Sequence, residues 1–368
     1  MVDTIRFNTT IREENLNMMM WKKGKKLRKN NRSTIFRENE EYFYTFVGSV
    51  RVAYYPSTES LVIGGRLISL YYDDKISNFD DVFSEAEQLT DFFEKANKRL
   101  NQLFVDYTID IRKLKITRID YCFNIITLCV SEYIRFFNYC FKNNAGQRFS
   151  NLINYTKELE KSDDSSCYLK TKGDFSNNTS RNYVINFYNK LSELVNRRNK
   201  QIEKYGHSLI EDEVIGNSVN ILRLEVQVDY NLLRRICKKF KISKKHHNLE
   251  YLFDINIAKF VVEEKIENLF TCHDFYTYDK VKQILIENGY EKNDKIFEYI
   301  YKVSHHQKTT SYKRYENILK SLNIYPYMFI PTKWKIEKLE NPIKLLEEKI
   351  EMKQTYNLKL LEGGERVC

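Results

Sequence analysis

Residues 116–125, ITRIDYCFNI, alternate between apolar and polar positions. Successive side chains of a strand point to opposite faces, so Ile119, Tyr121, Phe123 and Ile125 share one face. Arg118, Asp120, Cys122 and Asn124 share the other. LRLEVQV, within 220–228, repeats the pattern with Leu222, Leu224, Val226 and Val228 against Arg223, Glu225 and Gln227. In RNYVINFYNKLSEL, residues 181–194, Tyr183, Ile185 and Phe187 oppose Asn186, Tyr188 and Lys190, and the strand runs straight into a polar helix.

The first 70 residues also read as strands, with TIRFNTTI alternating and VRVAYY and SLVIGG flanking a Pro-Ser-Thr turn. Apolar residues at helical spacing (Phe83, Ala86, Leu89, Phe92, Phe93, Ala96, Leu100) predict a helix over 80–104. SEYIRFFNYCFKNN predicts another helix, and CYLKT a short strand inside a polar, mobile stretch at 159–182. Beyond 228 the pattern is almost wholly helical. There YDKVKQILIENGY from Tyr278 resembles YKRYENILKSLNI from Tyr312, which suggests a pair of similar helical hairpins. The expected architecture is α+β: a largely antiparallel central sheet covered by helices on one face (1–232), followed by a helical, basic part (233–368).

Charge narrows the classes of partner. The chain has 60 Lys and Arg against 50 Asp and Glu, a formal charge of +10, which suits a polyanion such as nucleic acid. Seven of the eleven residues at 22–32 are basic (Lys22, Lys23, Lys25, Lys26, Arg28, Lys29, Arg32), and this run reads as a phosphate-contacting loop or a solvated one. A second basic run, 234–245, carries Arg234, Arg235, Lys238 and Lys239. The seven cysteines are irregularly spaced with no CxxC pair, which fits reduced thiols better than a disulfide frame or zinc module. No apolar signal region or membrane-length run is present, so a cytoplasmic protein without membrane partners is expected.

Three strands of this kind, side by side, would gather Asp120, Glu225, Arg118, Arg223, Lys190 and Tyr188 on one polar face. Two carboxylates on paired strands lie close enough to need a cation between them, and Mg²⁺ or Mn²⁺ with oxygen ligands suits that span. Such an ion polarises a phosphate oxygen, and a tyrosine beside it is placed to attack the phosphorus. A phenol with a pKa near 10 needs help to ionise, and Lys190 is positioned to favour the phenolate or hold the phosphate. Half-exposed antiparallel sheets show such polar faces without any chemistry, so the alternative is a non-catalytic origin-binding or partition protein.

In this order, ITRIDYCFNI, NYVINFYNKLSEL and ILRLEVQV resemble core motifs of rolling-circle replication initiators. The likeness is to plasmid Rep-trans type proteins and to the gene II/X replication proteins of filamentous-type phages, covers roughly residues 1–230, and extends to VRVAYYPSTESLVIGGRL. The resemblance implies a relaxase-like nicking domain whose tyrosine cuts one strand of an origin and stays joined to the 5′ phosphate. It maps the nucleophile onto Tyr188, the Arg-Leu-Asp strand onto Arg118 to Asp120, and the Arg-Val-Glu strand onto Arg223 to Glu225. Several relatives carry an acidic residue where this chain has Asn124, so the implied metal ligands are Asp120 and Glu225 with Asn124 in the third place. The implied partners are double-stranded origin DNA with an extruded single-stranded nick site and a host helicase, with a homodimer as a further association. No GxxxxGK[ST] phosphate loop is present, as expected where a transesterification conserves the bond energy.

Two other chemistries fall away. A His-x-His metal pair is absent: His246–His247 and His305–His306 are adjacent pairs, whose side chains diverge. No histidine has Arg three residues on, as tyrosine recombinases require.

Overall fold

The computed structural model describes residues 2–28, 37–71, 86–142, 152–154, 165–171, 183–208, 210–242, 252–307 and 313–346. Lys29, Phe83, residues 172–182, residues 243–245, His246, His247 and residues from 347 on lie outside the described residues.

The chain folds as α+β around a ten-stranded sheet in which every neighbouring pair is antiparallel. Its strands are β1 (Val2–Thr10), β2 (Lys22–Arg28), β3 (Arg37–Val47), β4 (Val50–Tyr55), β5 (Ser60–Gly65), β6 (Lys115–Ile126), β7 (Leu152–Asn154), β8 (Ser166–Thr171), β9 (Tyr183–Asn189) and β10 (Ile221–Asp229). Their spatial order is β2-β3-β4-β5-β1-β6-β10-β9-β8-β7, which puts the three strands with polar faces together in the middle.

Helices α1 (Ala86–Asn101), α2 (Val130–Lys142), α5 (Tyr230–Lys239) and α6 (Ile255–Phe270) pack on the apolar face. Phe137 of α2 lies 4.4 Å from Phe187 of β9 and 4.6 Å from Phe270 of α6, ring centre to ring centre. Burying each such side chain contributes about 1.5–3 kcal/mol, so this contact ties the strand carrying Tyr188 to the helical layer. Tyr121, counted apolar in the alternation, points the same way and donates its hydroxyl to the Leu252 carbonyl at 3.1 Å.

Helix α3 (Lys190–Tyr205) goes to the other side. Asn189 ends β9 and caps the helix, its side chain accepting from Ser192 N at 3.2 Å. Asp229 likewise ends β10 and caps α5, accepting from the amides of Asn231 and Leu232. The two junctions share a capping device but send their helices to opposite faces.

After the short α4 (Asp212–Gly216) and the helices above, the chain adds α7 (Tyr278–Glu287), α8 (Asp294–Ser304), α9 (Lys313–Ser321) and a small sheet of β11 (Phe275–Tyr276) with β12 (Lys338–Leu339). Leu285 and Leu319, the matched residues of the two similar segments, are both buried in one small core with Ile296 and Ile300 of α8. The main core runs from Val2 to Leu346, and the 232/233 division falls inside α5, where Leu232 and Leu233 join that core.

One expectation is corrected. The basic run at 22–32 is not a loop through Arg28: residues 22–28 form β2 at the sheet edge. The reason lies in its partner, RENEEYFYTFV, which sets Glu41 opposite Lys25 and Glu40 opposite Lys26. The antiparallel partner supplies the backbone hydrogen bonds that make the segment a strand, and lysines suit an edge strand. Lys23 also pairs with Glu41 at 2.6 Å.

Candidate functional site

Register assembles the site. Ser166, Tyr188, Arg223 and Asn124 stand directly opposite one another across β8, β9, β10 and β6. Two residues along, Tyr168, Asn186, Glu225 and Cys122 form the next row on the same face. Asp120 belongs to a third row, opposite Gln227. Asp120 and Glu225 are therefore diagonal neighbours, roughly 7–8 Å apart at the backbone, rather than directly opposed.

This polar face is buried. Asp120, Asn124, Asn186, Lys190, Arg223, Glu225 and Tyr188 are each exposed by 7% or less. Tyr188 Oη donates to Glu225 Oε2 at 3.1 Å, and Asn186 Nδ2 donates to Glu225 Oε1 at 3.4 Å. Arg118 grips both oxygens of Asp120, with Nε at 2.8 Å from Oδ1 and Nη2 on Oδ2. Arg223 reaches Asp3 of β1 at 2.7 Å and Cys122 Sγ at 2.9 Å.

Lys190 is the first residue of α3 rather than the end of the strand, because Asn189 caps there. Its ammonium still turns to the polar face, 5.9 Å from the Tyr188 ring centre and 2.8 Å from Glu193 Oε2. Glu193 also pairs with Arg197 at 3.5 Å, and Arg66 with Asp3 at 3.2 Å.

Four residues of the cluster escaped the alternation argument: Asp3, Arg66, Glu193 and Arg197. Glu193 was within reach, since it stands at i+3 from Lys190 on a capped helix. Asp3 meets Arg223 across 220 residues of sequence, and no local signal carries that.

Burial sets the electrostatics. It pushes the Glu225 carboxyl up to about 7, assisted by the charges of Asp3 and Asp120 and opposed by Arg223 and the Tyr188 bond. Burial likewise raises Asp120 to about 6 against the pull of Arg118. Burial also pushes Asp3 upward, but Arg223, Arg66 and Lys190 outweigh it and hold Asp3 below the usual carboxylate range. Burial, then Arg223, lowers Lys190 to about 8. Burial raises the Tyr188 phenol well above its ordinary value, and the Glu225 charge adds to this while Arg223 opposes it.

Among the described residues, the carboxylates Asp3, Asp120, Glu193 and Glu225 meet five cationic side chains: Arg66, Arg118, Lys190, Arg197 and Arg223. Cations outnumber carboxylates even before Glu225 and Asp120 take up protons. A cluster of this balance favours an added anion.

In kind, the donors suit a hard divalent cation. The Asp120 charge raises the proton affinity of Glu225, and Asn186 Oδ1 is buried with no hydrogen-bond partner among the described residues. In arrangement they are engaged elsewhere, Asp120 by Arg118 and Glu225 by Tyr188. Among the described residues no three His, Cys, Asp or Glu side chains converge on a metal position.

The remaining predicted contacts sit apart from the site. Arg234, Arg235, Lys238 and Lys239 are exposed on α5, across the sheet from Tyr188. Lys22 and Lys23 are exposed on β2, and Lys25, Lys26 and Arg28 belong to the same edge strand. His306 Nε2 contacts the Tyr139 hydroxyl at 2.7 Å, on the helical layer. None of the described cysteines forms a disulfide. No described helix is long and apolar enough to cross a membrane.

No family model and no curated protein matches the chain. Among solved structures, a rolling circle replication initiator protein from Geobacillus stearothermophilus is similar at 12% identity and a TM-score of 0.24, covering 65% of this chain and 77% of that one.

Proposed function

We propose that this chain initiates rolling-circle DNA replication by nicking one origin strand through Tyr188. The observation that carries the reading is the Tyr188 Oη to Glu225 Oε2 hydrogen bond of 3.1 Å inside a buried cluster rich in cations. A buried phenol whose proton already points at a carboxylate of near-neutral proton affinity is paired as a nucleophile with its base.

In the reaction, Tyr188 Oη attacks the scissile phosphorus as its proton passes to Glu225. A phosphorus–oxygen bond to Tyr188 forms, and the bond from phosphorus to the 3′ oxygen breaks. The 3′ oxygen takes a proton from water and becomes the primer end, while the 5′ phosphate stays on the tyrosine. Arg223, opposite Tyr188, and Lys190 hold the non-bridging oxygens as charge builds on them. Tyr188 is only 7% exposed, so the phosphate enters by local opening of the cluster.

Mg²⁺ or Mn²⁺ would be held by Asp120 and Glu225 with the amide oxygen of Asn186; Asn124 stands two rows from Asp120 on β6, roughly 13 Å along the strand, too far to share the ion. It would supply Lewis-acid polarisation of the phosphate. Extruded origin DNA is the substrate on this reading, and unwinding falls to a helicase.

The test is incubation with Mn²⁺ and supercoiled DNA bearing the cognate origin, scored for nicking and a covalent protein–DNA adduct. Wild type is expected to form the adduct and Tyr188→Phe to form none. An adduct undiminished in Tyr188→Phe moves the nucleophile elsewhere, to Tyr183 or Tyr168 first. Absence of any adduct from wild type leaves the origin-binding alternative.

A further inference from the structure

We propose that the half of the same sheet face left open by the described residues is a single-stranded DNA track, in which an arginine row leads from the Tyr188 cluster to a ladder of aromatic rings, exposed at Phe46 and half-buried at Tyr42, Tyr44 and Tyr55. The binding surface stands on its own geometry. That the strand it holds is the one being cut rests on the proposed function.

The row is set by register. Arg118 of β6 faces Arg6 of β1, Arg6 faces Gly64 of β5, Gly64 faces Arg51 of β4, and Arg51 faces Phe46 of β3. Directly paired residues share a face, so three arginines and a phenylalanine lie in one line across five strands. Gly64 keeps the line open. A Cβ there would lie 3.4 Å from Arg6 Cγ, so Arg6 runs directly over β5 at contact distance. Arg6 and Arg51 are exposed, and Phe46 is 59% exposed.

Beside this line stands the aromatic ladder. Tyr42, Tyr44 and Phe46 alternate along β3 on one face, with ring centres 5.7 and 6.2 Å apart. Tyr55 of β4 stacks on Tyr42 at 5.5 Å. Arg51 lies 5.4 Å from the Tyr42 ring and 5.5 Å from the Tyr44 ring, and donates to the Tyr42 hydroxyl at 3.0 Å. Tyr42 lies over Gly24 of β2, where a Cβ would strike the ring at 2.7 Å.

Core packing does not account for these rings. The opposite face of β4 and β5 is already filled by Val50, Val52, Tyr54, Leu61 and Ile63, each exposed by no more than 1%. The second face is surplus to that core and combines π-faces with guanidinium groups. Those are the two features that hold an unpaired strand: stacking for its bases, positive charge for its phosphates. A duplex keeps its base faces stacked inside, so it offers this surface its phosphates but no ring to stack. From Tyr188 on β9 to the ladder on β3 is six strand spacings, roughly 29 Å, enough for a run of several nucleotides.

The experiment is fluorescence anisotropy with a labelled oligothymidylate of about twelve nucleotides, an oligouridylate of equal length and a blunt DNA duplex. The proteins are wild type, Phe46→Ala, Tyr44→Ala and Arg6→Gln, each checked by thermal melting and by mass in solution. Wild type is expected to prefer oligothymidylate to duplex. Each ring removed is expected to weaken it by roughly 5- to 150-fold, and Arg6→Gln to reduce the salt slope by about one. Melting temperatures stay near wild type because these side chains lie outside the core. The proposal is overturned if folded variants bind as wild type does, if wild type does not prefer oligothymidylate to duplex, or if oligouridylate binds better. It is also overturned if the variants change oligomeric mass and not binding, which would make the face a contact between copies. Adduct formation by Tyr188 is scored separately on the same proteins, so loss of this proposal and loss of the nicking reading are distinguishable.

Discussion

Tyr188 and Glu225 meet diagonally across β9 and β10, the phenol donating to the carboxylate at 3.1 Å. Their rows are two residues apart: Tyr188 faces Arg223, and Glu225 faces Asn186. The offset puts the base beside the nucleophile and leaves the position opposite the nucleophile to a guanidinium. A one-residue slip between the strands would turn one of the pair to the apolar face.

The carboxylates make a pH prediction for metal-free protein. Burial lifts Glu225 from 4.5 to about 7 and Asp120 from 3.8 to about 6, so between those limits the folded state holds more protons than the unfolded one. Stability from this pair therefore falls as pH rises through the folded values. Asp3 is depressed and acts oppositely, its contribution lost as pH falls through and below the usual carboxylate range. Unfolding free energies from urea titration at about pH 5 and about pH 8 are expected to differ less in Glu225→Gln than in wild type, by on the order of 3 kcal/mol. An equal difference in both proteins would contradict the assignment.

Arg223 is 1% exposed and pairs with Asp3 at 2.7 Å. Arg223→Met leaves that carboxylate with Arg66 as its remaining ion-pair partner and is expected to cost about 3–5 kcal/mol in urea unfolding. Adding Asp3→Asn should recover part of the loss. A cycle showing simple additivity would mean that the pair is not coupled.

The cap at Asn189 places Lys190. Asn189→Ala is expected to cost about 1 kcal/mol, and Asn189→Gly less. Hydrogen exchange should quicken in the first turn of α3 ahead of the sheet, since Ser192 N loses its acceptor. Unchanged protection of that turn would show that tertiary packing, not the cap, holds it.

Phe137 joins Phe187 and Phe270. Phe137→Ala opens a cavity behind the strand bearing Tyr188 and is expected to cost about 3–5 kcal/mol, with Phe137→Leu costing less. Chemical denaturation measures both; a loss under about 1 kcal/mol would mean that the neighbours refill the space.

Local pattern carried much of this molecule, and its failures have identifiable causes. Arg118, Asp120, Asn124, Tyr188, Arg223 and Glu225 fall on one face because a strand's period of two leaves no other choice. Alternation places Lys190 on that strand, yet Asn189 caps a helix one residue earlier, and the ammonium reaches the same cluster from α3. The charge of 22–32 suggests a loop, whereas 22–28 are an edge strand because a distant segment, Arg37–Val47, pairs with them. Asp3 sits at the start of β1, where only its distant partner makes it notable.

By itself, then, the sequence determined which side chains can share a face, since alternation and helical spacing are local properties of the backbone. Tertiary structure decided which faces meet and how deeply they are buried. It brought Asp3 to Arg223, set Glu225 diagonal to Tyr188, and closed α3 over the polar rows. Proton affinities follow from that burial and from charges brought in from distant strands, so no local pattern could contain them.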